Sequence, residues 1–188
     1  MPRWPTTAPT PSRLVRRATL PAATLALLLL AGCNAGELRF APTCPQLTLL
    51  AEGADLTRFA GAGRDVTDRV LEARITGVEA ACSGGRGGDV VARIKIQADI
   101  ARGPAAQGRA AQVPYFVAVM QGDAVLERRE FVLATNFPAN VNAQRVSGGD
   151  LELRFPKAGD SGAAQYRIIV SLQLTQEELE YNRRGTGR

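Results

Sequence analysis

The chain has no histidine, only two lysines, Lys95 and Lys157, and one tryptophan, Trp4. A serine hydroxyl needs a neighbouring base to become a nucleophile, and histidine is the usual one, so its absence argues against a serine hydrolase. A mechanism that pairs serine with lysine would have to use one of the two lysines, and neither has a suitable spacing. We therefore predict that the protein is not an enzyme and has no catalytic residue and no cofactor.

Basic residues outnumber acidic ones, 23 Lys and Arg against 18 Asp and Glu, but the excess lies at the N-terminus. The first 32 residues contain Arg3, Arg13, Arg16 and Arg17 and no acidic residue. The remaining 156 residues have 19 basic and 18 acidic side chains, a formal charge of +1. A domain that binds nucleic acid needs a basic face to neutralise phosphates, so we expect no nucleic acid among the partners.

The N-terminal segment has the plan of a secretory signal peptide. Its arginines are followed by an apolar run, Leu20–Leu30, and then by Ala31, Gly32 and Cys33. A membrane-spanning helix needs about 20 apolar residues, and this run of about 11 is too short, which leaves a permanent transmembrane helix as a minor alternative. The pair Arg16-Arg17 would also suit a twin-arginine signal. We predict that residues 1–32 are a signal peptide removed during export.

Leu30-Ala31-Gly32-Cys33 resembles the lipobox of bacterial lipoproteins. That resemblance implies cleavage before Cys33, a diacylglycerol group on its thiol, usually an acylated N-terminus, and attachment to a membrane through these lipids. Residues 33–43 would then form a tether that reaches roughly 35 Å at most. Asn34, in place of Asp, favours the outer over the inner membrane of a Gram-negative bacterium, with the domain facing the periplasm. The alternative is an ordinary cleavage site followed by a buried cysteine.

Lipidation of Cys33 would leave two further cysteines, Cys44 and Cys82. Only one pairing of these two exists, and an oxidising, exported location favours a disulfide between them. Closing a loop of about 39 residues would stabilise the fold by roughly 4 kcal/mol on the chain-entropy model. Two unpaired thiols are the alternative. Two cysteines without histidine fall short of a structural zinc site, so we expect no metal there.

Alternating apolar and polar residues predict an all-β domain. In Val90–Ile100 every second residue is apolar, which is typical of a strand with one buried and one solvated face. The segment Tyr166–Leu174 alternates in the same way, and the alternation in Leu71–Cys82 shifts by one residue at Gly77, which suggests a β-bulge. Further strands are predicted at 46–51, 112–120, 125–135, 141–146 and 151–155.

Turns rich in glycine, aspartate and proline separate these strands at the spacing of an antiparallel sandwich. We predict an immunoglobulin-like or fibronectin-like β-sandwich over residues 44–183, with a small barrel as the alternative and residues 184–188 as a tail. Near the end, Thr175 and Glu178 fit a capping box, which predicts a short helix from Gln176 to about Tyr181.

Two other motifs suggest chemistry without supporting it. Gly159-Asp160-Ser161-Gly162 resembles the sequence around the serine of trypsin-like proteases, but no histidine accompanies it, and we interpret it as a hairpin loop. Asp65 and Asp68 could offer carboxylates to calcium, but two aspartates three residues apart complete no calcium loop. We interpret them as solvated turn residues and expect no metal site.

The strand at 112–120 is apolar on both faces, which is unusual for a sandwich strand. Phe116, Ala118 and Met120 lie opposite its core side, and Val132 and Ile169 take the equivalent face of two other strands. We expect the C-terminal helix to cover this second apolar face, with Leu179 and Tyr181 on it. The alternative is that these five residues remain uncovered as a candidate partner surface.

Three segments, RGPA at 102–105, YFVAV at 115–119 and LTQEELEYNR at 174–183, resemble segments of small envelope lipoproteins of Gram-negative bacteria. That resemblance implies no activity. The sequence favours a non-enzymatic, membrane-anchored lipoprotein that binds or supports another envelope protein. A periplasmic binding module for a small ligand or glycan is the alternative, and a deep apolar pocket with convergent polar groups would indicate it.

Overall fold

The computed structural model describes residues 42–156 and 162–186. These residues are mostly β-strand with one short C-terminal helix, which confirms the predicted class at that level. The elements in the described ranges are β1 (Gln46–Leu49), β2 (Asp55–Phe59), β3 (Arg69–Gly84), β4 (Val90–Arg102), β5 (Ala110–Gln121), β6 (Ala124–Asn136), β7 (Ala143–Ser147), β8 (Leu151–Phe155), β9 (Tyr166–Leu172) and α1 (Gln176–Thr186). No helix within these ranges is long and apolar enough to cross a membrane.

The strands form two sheets. The first sheet has the order β1-β9-β5-β6, and the second has the order β2-β3-β4, with β7 and β8 both paired to the far side of β4. Pairing is antiparallel except between β1 and β9, which run parallel. Alternate residues of β4 and of the facing strands β5 and β9 are buried in one hydrophobic cluster, so the two sheets share a core.

β7 and β8 form one strand interrupted at Gly148, Gly149 and Asp150. Ser147 pairs with Gln97 of β4, and Leu151 pairs with Ile94. Three residues of the interrupted strand therefore lie opposite two residues of β4, which is one extra residue, as in a bulge. A Cβ atom at Gly148 would lie only 2.9 Å from the hydroxyl oxygen of Tyr115, whose ring projects from the first sheet. The interruption therefore brings a residue without a side chain to the point where a buried aromatic ring meets the opposite sheet.

The predicted bulge in β3 is confirmed. Ile75 pairs with Ala98 and Gly77 pairs with Gln97, so Thr76 has no partner residue on β4. This extra residue explains why the alternation of apolar residues changes phase at Gly77. Before the bulge Leu71, Ala73 and Ile75 are buried in the core, and after it Val78 and Cys82 pack against the core while Ala80 is exposed.

Two elements differ from the sequence expectation. β2 was not predicted, because Leu56 is its only buried residue and five residues carry little periodic signal. The helix begins as predicted, since the Thr175 amide donates to Glu178 Oε2 at 2.8 Å and the Glu178 amide donates to Thr175 Oγ1 at 3.2 Å. It continues to Thr186 rather than ending near Tyr181, and its last turns contact the segment around Glu52.

Candidate functional site

Cys44 and Cys82 form a disulfide with a Cα–Cα distance of 5.8 Å, in agreement with the predicted pairing. Cys44 lies just before β1 in the first sheet, and Cys82 lies near the end of β3 in the second sheet. The bond therefore links the two sheets at the point where the described chain begins. The predicted lipidation residue, Cys33, lies outside the described residues, as do Asp160 and Ser161 of the protease-like motif.

The five residues of the candidate partner surface lie on one face of the first sheet. Ala118 pairs with Ile169 of β9, and Met120 follows two positions later on β5. Phe116 pairs with Glu130 of β6, and Val132 is two positions beyond Glu130 on the same strand. The side chains that alternate with them point into the core, so this surface is the outer face of the sheet.

This outer face is covered unevenly. Ala118 is buried, Phe116, Met120 and Ile169 are half-buried, and Val132 is 54% exposed. The neighbouring strand β6 supplies part of the cover on Phe116. The Arg128 guanidinium lies 4.3 Å from the centre of the Phe116 ring, which is a favourable cation–π geometry, and Arg128 also pairs with Glu130 at 3.1 Å. Arg128 therefore shields one aromatic ring, and the rest of the face is left partly open.

A short segment covers one further position on this face. Ser171 of β9 is buried, and its hydroxyl donates to the carbonyl of Leu172 at 2.9 Å. Gly53, in the 3₁₀ helix Ala51–Gly53, packs directly against the Ser171 hydroxyl, where a Cβ atom could not fit without a shift. The cover on this corner of the sheet is thus a loop, and it lies beyond the five residues of the candidate partner surface.

The expectation that the C-terminal helix covers the apolar face is wrong. The helix packs against β2 and the 3₁₀ helix Ala51–Gly53. Tyr181 meets Phe59 edge to face at 5.1 Å between ring centres, and Glu178 accepts a hydrogen bond from Arg58 Nε at 3.0 Å. β2 was missing from the sequence prediction, so the surface that the helix covers could not be anticipated from the sequence.

Sequence reasoning also missed two exposed apolar residues next to this face. Val125 is 60% exposed and Leu126 is 53% exposed, both near the start of β6. The pairing of β5 and β6 shifts between Val119 and Met120, so that Leu126 has no partner on β5. Residues 124–130 of this edge strand are all exposed, so Val125 and Leu126 both face solvent although they are consecutive.

The described residues also line an open groove of about 820 Å³. It lies between the outer face of the second sheet and the last turns of α1. Asp55 accepts a hydrogen bond from Arg74 Nε at 2.5 Å, and Asp99 accepts two from Arg145, at 2.7 and 3.1 Å. The hydrogen bond from Arg145 is the main cause that lowers the pKa of the Asp99 carboxyl below its usual value.

Several polar groups that line the groove already have hydrogen-bond partners within the protein. Two of its carboxylates are already paired with arginines, and the Asn182 amide donates to the carbonyl oxygens of Glu52 and Asp55 at 2.9 and 2.7 Å. In residues 42–156 and 162–186 no group of three acidic, cysteine or histidine residues could hold a metal ion. The groove is open to solvent, whereas small-molecule sites usually enclose most of the ligand.

The described surface therefore offers a partly open apolar face on the first sheet and a charged groove on the second. Comparison with protein-family models, with curated proteins and with solved structures finds no match for this chain.

Proposed function

We propose that this protein is a non-enzymatic lipoprotein of a Gram-negative cell envelope, anchored through Cys33, whose domain faces the periplasm and binds or supports another envelope protein. The observation that carries the proposal is the incompletely covered apolar face around Phe116 and Val132. Apolar patches on the surface of a soluble domain usually mark an interaction site. The Cys44–Cys82 disulfide suits an exported protein, because such bonds persist in oxidising compartments.

We also infer that the two sheets form an immunoglobulin-like or fibronectin-like sandwich. They share one core, and the described strands include no pair that would join them into a closed barrel. In that class one sheet contains the strand order A-B-E and the other contains F-C-C′. β3, β4 and the interrupted strand β7/β8 follow the first order, and β9, β5 and β6 follow the second. In that class the last strand, G, lies beside strand F. Here β1 lies in that position beside β9, and it runs parallel to β9. That N-terminal strand is the main departure from the class.

Anchoring is tested by Cys33→Ala in the full-length chain. We expect the wild-type protein to enter the detergent phase and to carry acyl mass, because burial of acyl chains contributes about 0.8 kcal/mol per CH₂ and two or more chains hold a protein stably. Cys33→Ala is expected to lose the acyl mass and to accumulate with altered processing. Cys44→Ala is the matched control, since it removes a cysteine and should leave lipidation intact. Wild-type protein in the aqueous phase without acyl mass would show that the anchor is wrong.

Partner binding is tested with a photo-cross-linking residue at Val132 in living cells. We expect a discrete protein adduct from Val132 and none from Val66, which is 61% exposed and lies away from the apolar face. Adding Phe116→Asp should abolish the Val132 adduct, because a charge in the apolar face would be desolvated on binding. A cooperative unfolding transition of that variant in urea would show that it still folds. Equal labelling from both positions, or an adduct that survives Phe116→Asp, would contradict the proposed surface.

A further inference from the structure

The start of the described chain and the tip of the β5–β6 hairpin lie at the same end of the first sheet. Gln46, the first residue of β1, pairs with Arg167 of β9, and Arg167 pairs with Met120 of β5. Met120 in turn pairs with Val125 of β6. These four residues form one row across the sheet, and Cys44 and the turn at Gly122–Asp123 both lie just beyond it. We call this end of the domain the tether end.

The hairpin presents apolar side chains at the tether end. Gly122, with φ of 57°, occupies the first position of the two-residue turn, as a type II′ hairpin requires. Directly after the turn, Val125 and Leu126 are both more than half exposed, and the bulge leaves Leu126 unpaired. Bulges near strand ends commonly redirect a side chain. The described domain therefore covers these two adjacent aliphatic residues only in part.

We propose that this hairpin tip, Val125 and Leu126, docks into the surface of the membrane that holds the lipid on Cys33. The inference rests on the anchor in the proposed function. Cys33 lies nine residues before Pro42, where the described chain begins, and a tether of that length reaches roughly 30 Å at full extension. The tether would leave the domain at the end where the hairpin tip lies. A short tether keeps the local concentration of membrane surface high, so even a weak apolar contact is populated.

The charges near the hairpin tip balance one another, so the proposed contact with the membrane is mainly apolar. Arg128 pairs with Glu130, and Arg129 pairs with Glu127 at 2.5 Å. Arg167 donates to the carbonyl of Gly122 at 3.3 Å, and Asp123 adds a negative charge in the turn. Cations and anions are therefore balanced around Val125 and Leu126. We expect docking to depend little on anionic lipid, in contrast to polybasic membrane sites.

The arrangement also leaves the outer face of the first sheet free. With the tether end on the membrane, the strands rise away from the surface, and Val132 lies farther from the turn than Val125 along the same strand. The partner surface would then face sideways, within reach of a protein in the same membrane. Docking by the tip and binding by the face use different residues, so the two can be tested separately.

The experiment uses tryptophan as a depth probe in the full-length, lipidated protein. Trp4 is the chain's only tryptophan and lies in the predicted signal peptide, so Leu126→Trp and Val66→Trp each give the processed protein a single reporter. Val66 is similarly exposed and lies between β2 and β3, at the end opposite the hairpin tip. Each variant is extracted from membranes and reconstituted into phosphatidylcholine vesicles that contain lipid brominated along its acyl chains.

We expect bromolipid to quench Leu126→Trp severalfold more strongly than Val66→Trp, because docked apolar side chains lie roughly 5–10 Å into the boundary between headgroups and acyl chains. Adding Val125→Asp to Leu126→Trp should reduce the quenching to the level of Val66→Trp. Replacing part of the phosphatidylcholine by phosphatidylglycerol should change it little.

Three results would overturn the inference. Vesicle-bound protein with equal quenching at both positions would show that the tip does not dock, and would leave the anchor intact. Protein that does not stay with the vesicles would show that the anchor itself fails. A photo-cross-linking residue at Leu126 that captures a discrete protein in cells, without quenching in vesicles, would assign the tip to a protein partner instead.

Discussion

Replacing both Cys44 and Cys82 by serine should lower the free energy of unfolding by about 4 kcal/mol, since the bond closes a loop of about 39 residues in the unfolded chain. The structure adds a local reason for a large effect. β1 has only four residues and pairs only with β9 in the part of the chain that is described. The disulfide joins the segment before this short strand to the opposite sheet, so its loss should also release β1 from the edge of the first sheet.

The effect is measured by urea denaturation of the wild-type protein and the double variant, each with and without reductant. Without reductant the variant should unfold at a lower urea concentration. With reductant the two proteins should coincide, because the serines differ little from free thiols. Equal midpoints without reductant would contradict the prediction, and so would a mass map of periplasmic material in which both cysteines are free.

Ending the chain after Leu174 should lower the free energy of unfolding by at least about 2 kcal/mol. Full burial of a large side chain contributes about 1.5–3 kcal/mol, of which the half-buried Tyr181 gains a part, and an aromatic pair adds about 0.5–1.5 kcal/mol. The truncation also removes Glu178, which is buried and binds Arg58, and Asn182, which binds two carbonyl groups near β2. β2 is an edge strand of five residues, and the helix packs against it.

The matched control is a chain that ends after Thr186, which keeps the whole helix and removes only the last two residues. That control should unfold like the wild type. The helix packs on β2 and not on the apolar face, so a photo-cross-linker at Val132 should capture the same adduct in the truncated protein wherever that protein still folds. Unchanged stability after truncation at Leu174 would show that the contacts of Tyr181 and Glu178 contribute little.

Most of the individual strands could be predicted from local pattern. In β4 and β9 every second residue enters the core, and this alternation is visible in the sequence because it depends only on the two-residue repeat of a strand. The capping box at Thr175 is equally local, since its partners lie three residues apart. β2 escaped prediction because its pairing with β3 and its cover by α1 are both contacts with distant parts of the chain.

The candidate partner surface could likewise be predicted only in part. The sequence identified Phe116, Ala118, Met120, Val132 and Ile169 as one apolar face, because alternation within each strand assigns side chains to faces. It could not show that Arg128 lies over Phe116, that the helix packs elsewhere, or that a bulge leaves Leu126 without a partner on β5. Each of these depends on how β6 and α1 meet other elements.

By itself, the sequence determined the mostly β character of the domain and the position of the bulge at Gly77, because both follow from local periodicity. It predicted the Cys44–Cys82 pairing only together with the assignment of the third cysteine, Cys33, to lipidation. Only the tertiary structure decided which sheet each strand joins, what the helix covers, and that the hairpin tip lies at the end where the chain enters the domain. Those features depend on strand order and register, and these are set by packing between residues far apart in the chain.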